Sequence, residues 1–110
     1  MSSALAVYTT LGSEAEARAL AKAVIEKRLA ACAQINAIES FYHWEGAVQN
    51  DPEWRILFKT TANAYGELET FLKANHPYDE PAIYALEVKK GAEGYLDWIS
   101  EEVGREPSSS

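Results

Sequence analysis

His76-Pro77-Tyr78-Asp79-Glu80-Pro81-Ala82-Ile83-Tyr84-Ala85-Leu86-Glu87-Val88 is the stretch on which the reading of the fold turns. No helix can run through it, because each of its two prolines lacks an N–H and crowds the preceding turn. Its first half must be ordered loop. Ile83 to Val88 is an apolar run that stops at Lys89-Lys90-Gly91 and reads as a buried strand. The loop thus carries an imidazole, a phenol and two carboxylates to the mouth of a strand. Pro77 and Pro81 serve equally well as punctuation that ends a helix and aims that strand.

Upstream of this loop, Tyr65, Leu68, Phe71 and Leu72 recur at helical spacing and predict a helix that stops before Pro77. Before it, Trp54 to Thr60 reads as a strand. Glu45-Gly46 opens a turn reaching to Asp51-Pro52, and Ala30 to Trp44 supplies the other arm of a long hairpin. Within that arm Ala31, Ala33 and Ile35 share one parity, while Ile38, Tyr42 and Trp44 share the other. The switch predicts a β-bulge or bend near Asn36-Ala37. Leu5 to Thr10 is a β-prone run ended by Gly12. Ser13 with Glu16 then forms a capping box for a helix running to about Arg28, with Ala17, Leu20, Ala21 and Val24 on one face. Glu14 and Glu16 fill its positive end and no glycine-rich fingerprint is present, so nucleotide binding at that turn is rejected. Downstream, Leu96, Ile99 and Val103 mark a last amphipathic helix. Residues 1–103 form one domain, and 104–110 form a loose tail of Pro, Ser and charge with nothing to bury.

The order is strand, helix, strand, strand, helix, strand, plus a helix. That is an α+β, ferredoxin-like βαββαβ sandwich with a long hairpin and an added C-terminal helix. A strand of about 13 residues spans about 43 Å, whereas a helix of about 14 covers about 21 Å. The hairpin must overhang its own helices. Phe41, Tyr42, Trp44 and Trp54 ride on the overhang, and an unpaired strand edge bearing such rings predicts another copy of the chain as its partner.

Composition narrows the function classes. At 110 residues, 47% hydrophobic and 25% charged, the chain suits one soluble domain. A net charge of −7 disfavours nucleic acid and anionic membranes. A single cysteine excludes an internal disulfide and fits a reducing compartment. The first residues carry no basic and apolar leader pattern, and no run is long enough to span a membrane, so the expected location is the cytoplasm.

Leu29-Ala30-Ala31-Cys32-Ala33-Gln34-Ile35, Tyr42-His43-Trp44-Glu45-Gly46, Lys59-Thr60-Thr61, His76-Pro77-Tyr78 and Tyr95-Leu96-Asp97-Trp98-Ile99 stand in the order seen in the CutA divalent-cation tolerance proteins. The chain resembles that family from about Val7 to Val103. The resemblance implies a cytosolic homotrimer of ferredoxin-like subunits, similar in architecture to the PII signalling proteins, associated with tolerance of copper and other divalent metals. It would also place a cysteine in the first strand and a carboxylate directly after the loop's second proline. Thr9 and Ala82 stand at those positions.

Read for their own chemistry, His76 and Cys32 are the metal-ligating candidates, with Cu²⁺ first because it tops the divalent order for nitrogen donors. They lack the close spacing of a dedicated site. Cys32, among alanines, reads equally as a small core residue, and His76 as a backbone hydrogen-bond partner. Lys59 either pairs with Glu39 or Glu87, or joins Tyr78 and Glu80 around a small anionic ligand in a cleft between subunits. His43 belongs at the exposed hairpin tip and Trp98 to packing. No catalytic set is named, and no tightly bound cofactor is expected beyond a divalent metal. The residues fit two functions, a metal-tolerance trimer and a signalling or enzymatic trimer with an anionic cleft ligand.

Overall fold

A computed structural model describes residues 3–104, so the Arg105–Ser110 tail lies outside the described residues. In chain order the elements are β1 (Ala4–Leu11), α1 (Glu14–Glu26), β2 (Cys32–Trp44), β3 (Ala47–Thr61), α2 (Ala62–Asn75), β4 (Ile83–Glu87) and α3 (Glu93–Glu102). The four strands form one antiparallel sheet in the order β2-β3-β1-β4. This is the expected ferredoxin-like arrangement with its long hairpin and added helix.

One parity of each central strand faces α1 and α2. Val7 and Leu11 of β1 and Ile56 and Phe58 of β3 meet Ala17, Leu20, Val24, Leu68 and Leu72 in a single buried cluster. Each large side chain in it contributes roughly 1.5–3 kcal/mol relative to exposure. The opposite parity carries Tyr8, Arg55, Leu57, Lys59, Tyr84 and Leu86 and faces away from α1 and α2, with α3 reaching Lys59 through Tyr95.

The Ser13 hydroxyl accepts from the Glu16 N–H at 3.2 Å, which is the serine half of the expected capping box. α1 ends at Glu26, short of the expected Arg28, because the chain turns left-handed there. Arg28 has φ 60, its N–H bonds the Ile25 carbonyl at 3.0 Å, and the Leu29 N–H bonds the Val24 carbonyl at 3.1 Å. This is a Schellman stop, built without the usual glycine. Arg28 is held from outside by Glu102, 2.8 Å from its guanidinium, and by the Gly104 N–H on its carbonyl at 2.8 Å.

The hairpin departs from expectation in two ways. Its turn is the two residues Glu45 and Gly46, both at positive φ (52 and 80), as the tightest right-twisting hairpins require, so β3 begins at Ala47 and not near Trp54. Pro52 therefore sits inside a strand, on a stretch that among the described residues pairs with β2 alone, where its missing N–H is tolerated. Nor is there a bulge at Asn36-Ala37, because the β2–β3 register runs unbroken from Cys32↔Lys59 to Trp44↔Ala47. The parity switch has another origin: Ala33 faces the helices, whereas beyond Trp54 the helices end and large side chains no longer have to choose that side.

β1 pairs with β3 only from Trp54 onward, leaving residues 47–53 and their β2 partners as a free two-stranded arm about 23 Å long at 3.3 Å per residue. The molecule is accordingly drawn out to 51 × 30 × 21 Å. Phe41, Trp44 and Val48 on the arm are 67%, 62% and 64% exposed. Trp54, expected with them, lies on the helix-facing parity and packs against the core cluster. β4 also differs from the buried strand expected, since it is an edge strand with helices on one face, and Tyr84 and Leu86 point to the uncovered side.

Candidate functional site

The proline-framed loop follows directly on α2, whose last cap is His76. From there the imidazole reaches back across the end of β1. Its Nε2 lies 3.0 Å from the Thr10 carbonyl and 3.1 Å from the Thr9 hydroxyl, while Nδ1 accepts the Tyr78 N–H at 3.2 Å. A carbonyl only accepts and an N–H only donates, so these partners assign the proton to Nε2 and occupy the lone pair of Nδ1. Burial pushes the His76 pKa below its ordinary value, and the neutral ring is the form the site holds. Thr9, where the family resemblance led one to expect cysteine, is fully buried and serves this imidazole.

Tyr78 carries the network onward. Its hydroxyl donates to one Glu53 oxygen at 2.8 Å, and the Ser40 hydroxyl donates to the other at 2.6 Å. One strand-pair further out, Tyr42 donates to Asp51. Ser40, Tyr42, Asp51 and Glu53 share the uncovered parity of the arm, and the strand register alone brings them into one row. Burial first, and then the bond to Glu53, raise the Tyr78 pKa, so the phenol remains a proton donor. Gly12 leaves room for it: a Cβ there would stand 3.1 Å from the Tyr78 hydroxyl.

The residues named from sequence do not converge within one chain. Cys32 lies across from Lys59 in the ladder, whereas His76 bonds Thr10, the partner of Arg55. Arg55 and Lys59 are separated by about 13 Å of strand. A Cys32–His76 metal pair therefore does not form inside a subunit. Among the described residues no three His, Cys, Asp or Glu side chains gather where they could hold a metal ion. Both His76 nitrogens are already engaged, so a metal on this ring would have to displace one of its own bonds. The described residues of one chain do not fit a divalent-metal centre.

The anionic-cleft set is likewise divided. Lys59 lies six positions from Glu53 on β3, about 20 Å from the Tyr78 contact. Glu80 is exposed and is felt electrostatically by Lys73 at the end of α2. Lys59 pairs with neither acid expected of it. Glu87 has the opposite face parity, and Glu39 sits across from Pro52, far up the arm, where it accepts from Asn50. The contacts Lys59 does make are the Gln34 amide oxygen at 3.4 Å and the Tyr95 hydroxyl at 3.3 Å. The Cys32 thiol lies 3.9 Å from that same hydroxyl and is only partly buried. His43 is exposed next to the hairpin turn. Trp98, read as packing, is 40% exposed and stacks on Tyr95.

Sequence reasoning missed Glu53, Ser40, Thr10 and Tyr95 as partners. The available signal was register: once β2 and β3 are aligned on the Glu45-Gly46 turn, Ser40 and Glu53 fall on one face two rungs apart.

The family model described as CutA1 divalent ion tolerance protein matches residues 5–102. The divalent-cation tolerance protein CutA of Thermus thermophilus is 46% identical over 99 residues, covering 89% of this chain and 96% of that one. The crystal structure of CutA1 from Oryza sativa superposes with a TM-score of 0.91 at 37% identity, covering 96% of this chain and 97% of that one. A CutA from Archaeoglobus fulgidus, described as periplasmic, superposes at 0.87 with 37% identity, covering 90% and 97%. Fold, motif order and these likenesses agree, and the chain belongs to the CutA divalent-cation tolerance family.

Proposed function

We propose that the chain acts in divalent-cation tolerance as a homotrimer whose subunits embrace one another through their hairpin arms. The observation that carries this reading is the free arm, with Phe41, Trp44 and Val48 largely exposed on two strands that have no third neighbour among the described residues. Left in water, such an edge invites uncontrolled pairing, and a second copy is its natural cover. The uncovered sheet face, with Tyr84 and Leu86 about half exposed, supplies further apolar area for the same contact. Three subunits rather than two is what family membership suggests.

Among the described residues of a single subunit no metal centre assembles, so metal engagement is a property of the assembly, with ligands drawn from more than one copy. Cu²⁺ is the ion to test first, since imidazole and thiolate favour it over the other divalent ions of its row. The one free cysteine supports a reducing compartment, and the cytoplasm is proposed on that ground. No helix among the described residues is long and apolar enough to cross a membrane.

Sedimentation equilibrium tests the reading directly. A mass three times that of the 12.2 kDa chain is expected, falling when Trp44 and Phe41 are both replaced by Ser. A monomer at micromolar concentration would overturn it. Calorimetry with Cu²⁺ on wild type and on the dissociated double variant then asks whether metal affinity follows assembly; equal affinity in both would refute the shared-ligand reading.

A further inference from the structure

Lys59 has no acid. The ion pairs among the described residues are Arg18–Glu14, Arg28–Glu102 and Lys73–Glu69, and none includes it. Across the sheet it is flanked by Ala6 and Cys32, again not by carboxylates. The chain carries 17 acidic side chains against 10 basic ones, so an acid-free setting for a half-buried ammonium is a particular arrangement and not a shortage of partners. Of its three protons, two have only long contacts to neutral oxygens, Gln34 at 3.4 Å and Tyr95 at 3.3 Å. Because the Tyr95 oxygen accepts from Lys59, its own O–H is free to donate. The Cys32 sulfur lies 3.9 Å from this hydroxyl and is a weak acceptor.

Beside this pair of donors lies an apolar ledge. Tyr95 and Trp98 are stacked, with centroids 6.0 Å apart and planes 22° from parallel, and they are 42% and 40% exposed. The ammonium itself stands 5.7 Å from the Tyr95 ring centroid, so the charge and the ledge are contiguous. A carboxylate would complete the two donors, and a flat hydrocarbon body would cover the rings.

We propose that Lys59 and Tyr95, with Gln34 beside them and Trp98 as a platform, form a binding site for a small aryl carboxylate. The ammonium and phenol hold the carboxylate while the Tyr95–Trp98 ledge takes the ring. The inference does not depend on metal binding. It differs from the cleft expected from sequence in its residues, since Tyr78 and Glu80 take no part.

The test is calorimetry on the intact protein with phenylacetate and with phenethylamine, which has a similar body and the opposite charge. Phenylacetate should bind saturably, one per chain, and phenethylamine should not. Lys59→Met should weaken phenylacetate about tenfold or more, the size expected for losing one charge-assisted bond. Trp98→Ala should weaken it as well, and this second variant reads the site even where Lys59→Met folds poorly. Absence of saturable binding at millimolar phenylacetate, or unchanged affinity in a folded Lys59→Met, overturns the proposal. Sedimentation of the same samples separates this from the assembly reading. A wild-type monomer that still binds phenylacetate refutes only the trimer. A Lys59→Met protein that loses mass shows that the missing acid belongs to another copy and that no ligand site exists here.

Discussion

Replacing His76 is the sharpest probe of the loop. His76→Phe keeps an aromatic ring of similar size but removes the Nε2 contacts to Thr10 and Thr9 and the Nδ1 acceptor for the Tyr78 N–H. The Tyr78 N–H is exposed and water can take it up. The Thr9 hydroxyl is fully buried, and the Thr10 carbonyl beside it loses its ring partner. At about 1 kcal/mol for each of these two inner bonds, with a further penalty for a buried group left unpaired, the loss is about 2–3 kcal/mol. For a domain of this length that is roughly 8–15 °C in Tm. Thermal unfolding at one fixed protein concentration is the assay, since association itself raises the melting temperature. The pH dependence gives an independent reading. Burial holds the folded ring neutral below its ordinary pKa, whereas the unfolded chain takes up its proton near pH 6.5. Between those two values the unfolded state binds more protons, so stability rises with pH. The contribution is complete above about pH 6.5 and is lost as pH falls through the folded value. His76→Phe should lack that part of the slope. A Phe variant that melts within about 1 °C of wild type, with the same pH profile, would show that the imidazole does not anchor this loop.

Two further outcomes test the frame around it. At Arg28, a left-handed φ costs a side chain about 1 kcal/mol that glycine does not incur, while the partly exposed pair with Glu102 returns up to about 1 kcal/mol. Denaturant unfolding should therefore find Arg28→Gly close to wild type and Arg28→Ala about 1 kcal/mol below Arg28→Gly; equal stability of the two variants would mean that the backbone there is not left-handed. Thr60 is fully buried and donates to the Leu29 carbonyl at 2.7 Å. Thr60→Val should lower stability by about 1–3 kcal/mol in the same measurement, and no loss would show that this carbonyl finds another donor.

What could be read from the chain alone was whatever depends on near neighbours. The Ser13 cap of α1, the helical spacing of Leu68 and Leu72, the stop at Pro77 and the β-prone run of β1 each involve residues within a turn or two of one another, and each appears as read. Sheet order followed too, because short connections and right-handed crossovers leave few ways to lay four strands and two helices together. Strand limits were less legible at Asp51-Pro52, where a proline that signals a turn sits instead on a one-sided stretch of β3. The chemistry was legible only as an inventory. His76 finds Thr10 across 66 positions, Tyr78 finds Glu53 across 25, and Lys59 finds Tyr95 across 36. Such meetings are set by the register of strands far apart in the chain, where a slip of one residue exchanges the two faces of the sheet. Composition lists the imidazole, the ammonium and the thiol; only the folded sheet separates the first from the other two by more than 10 Å of strand.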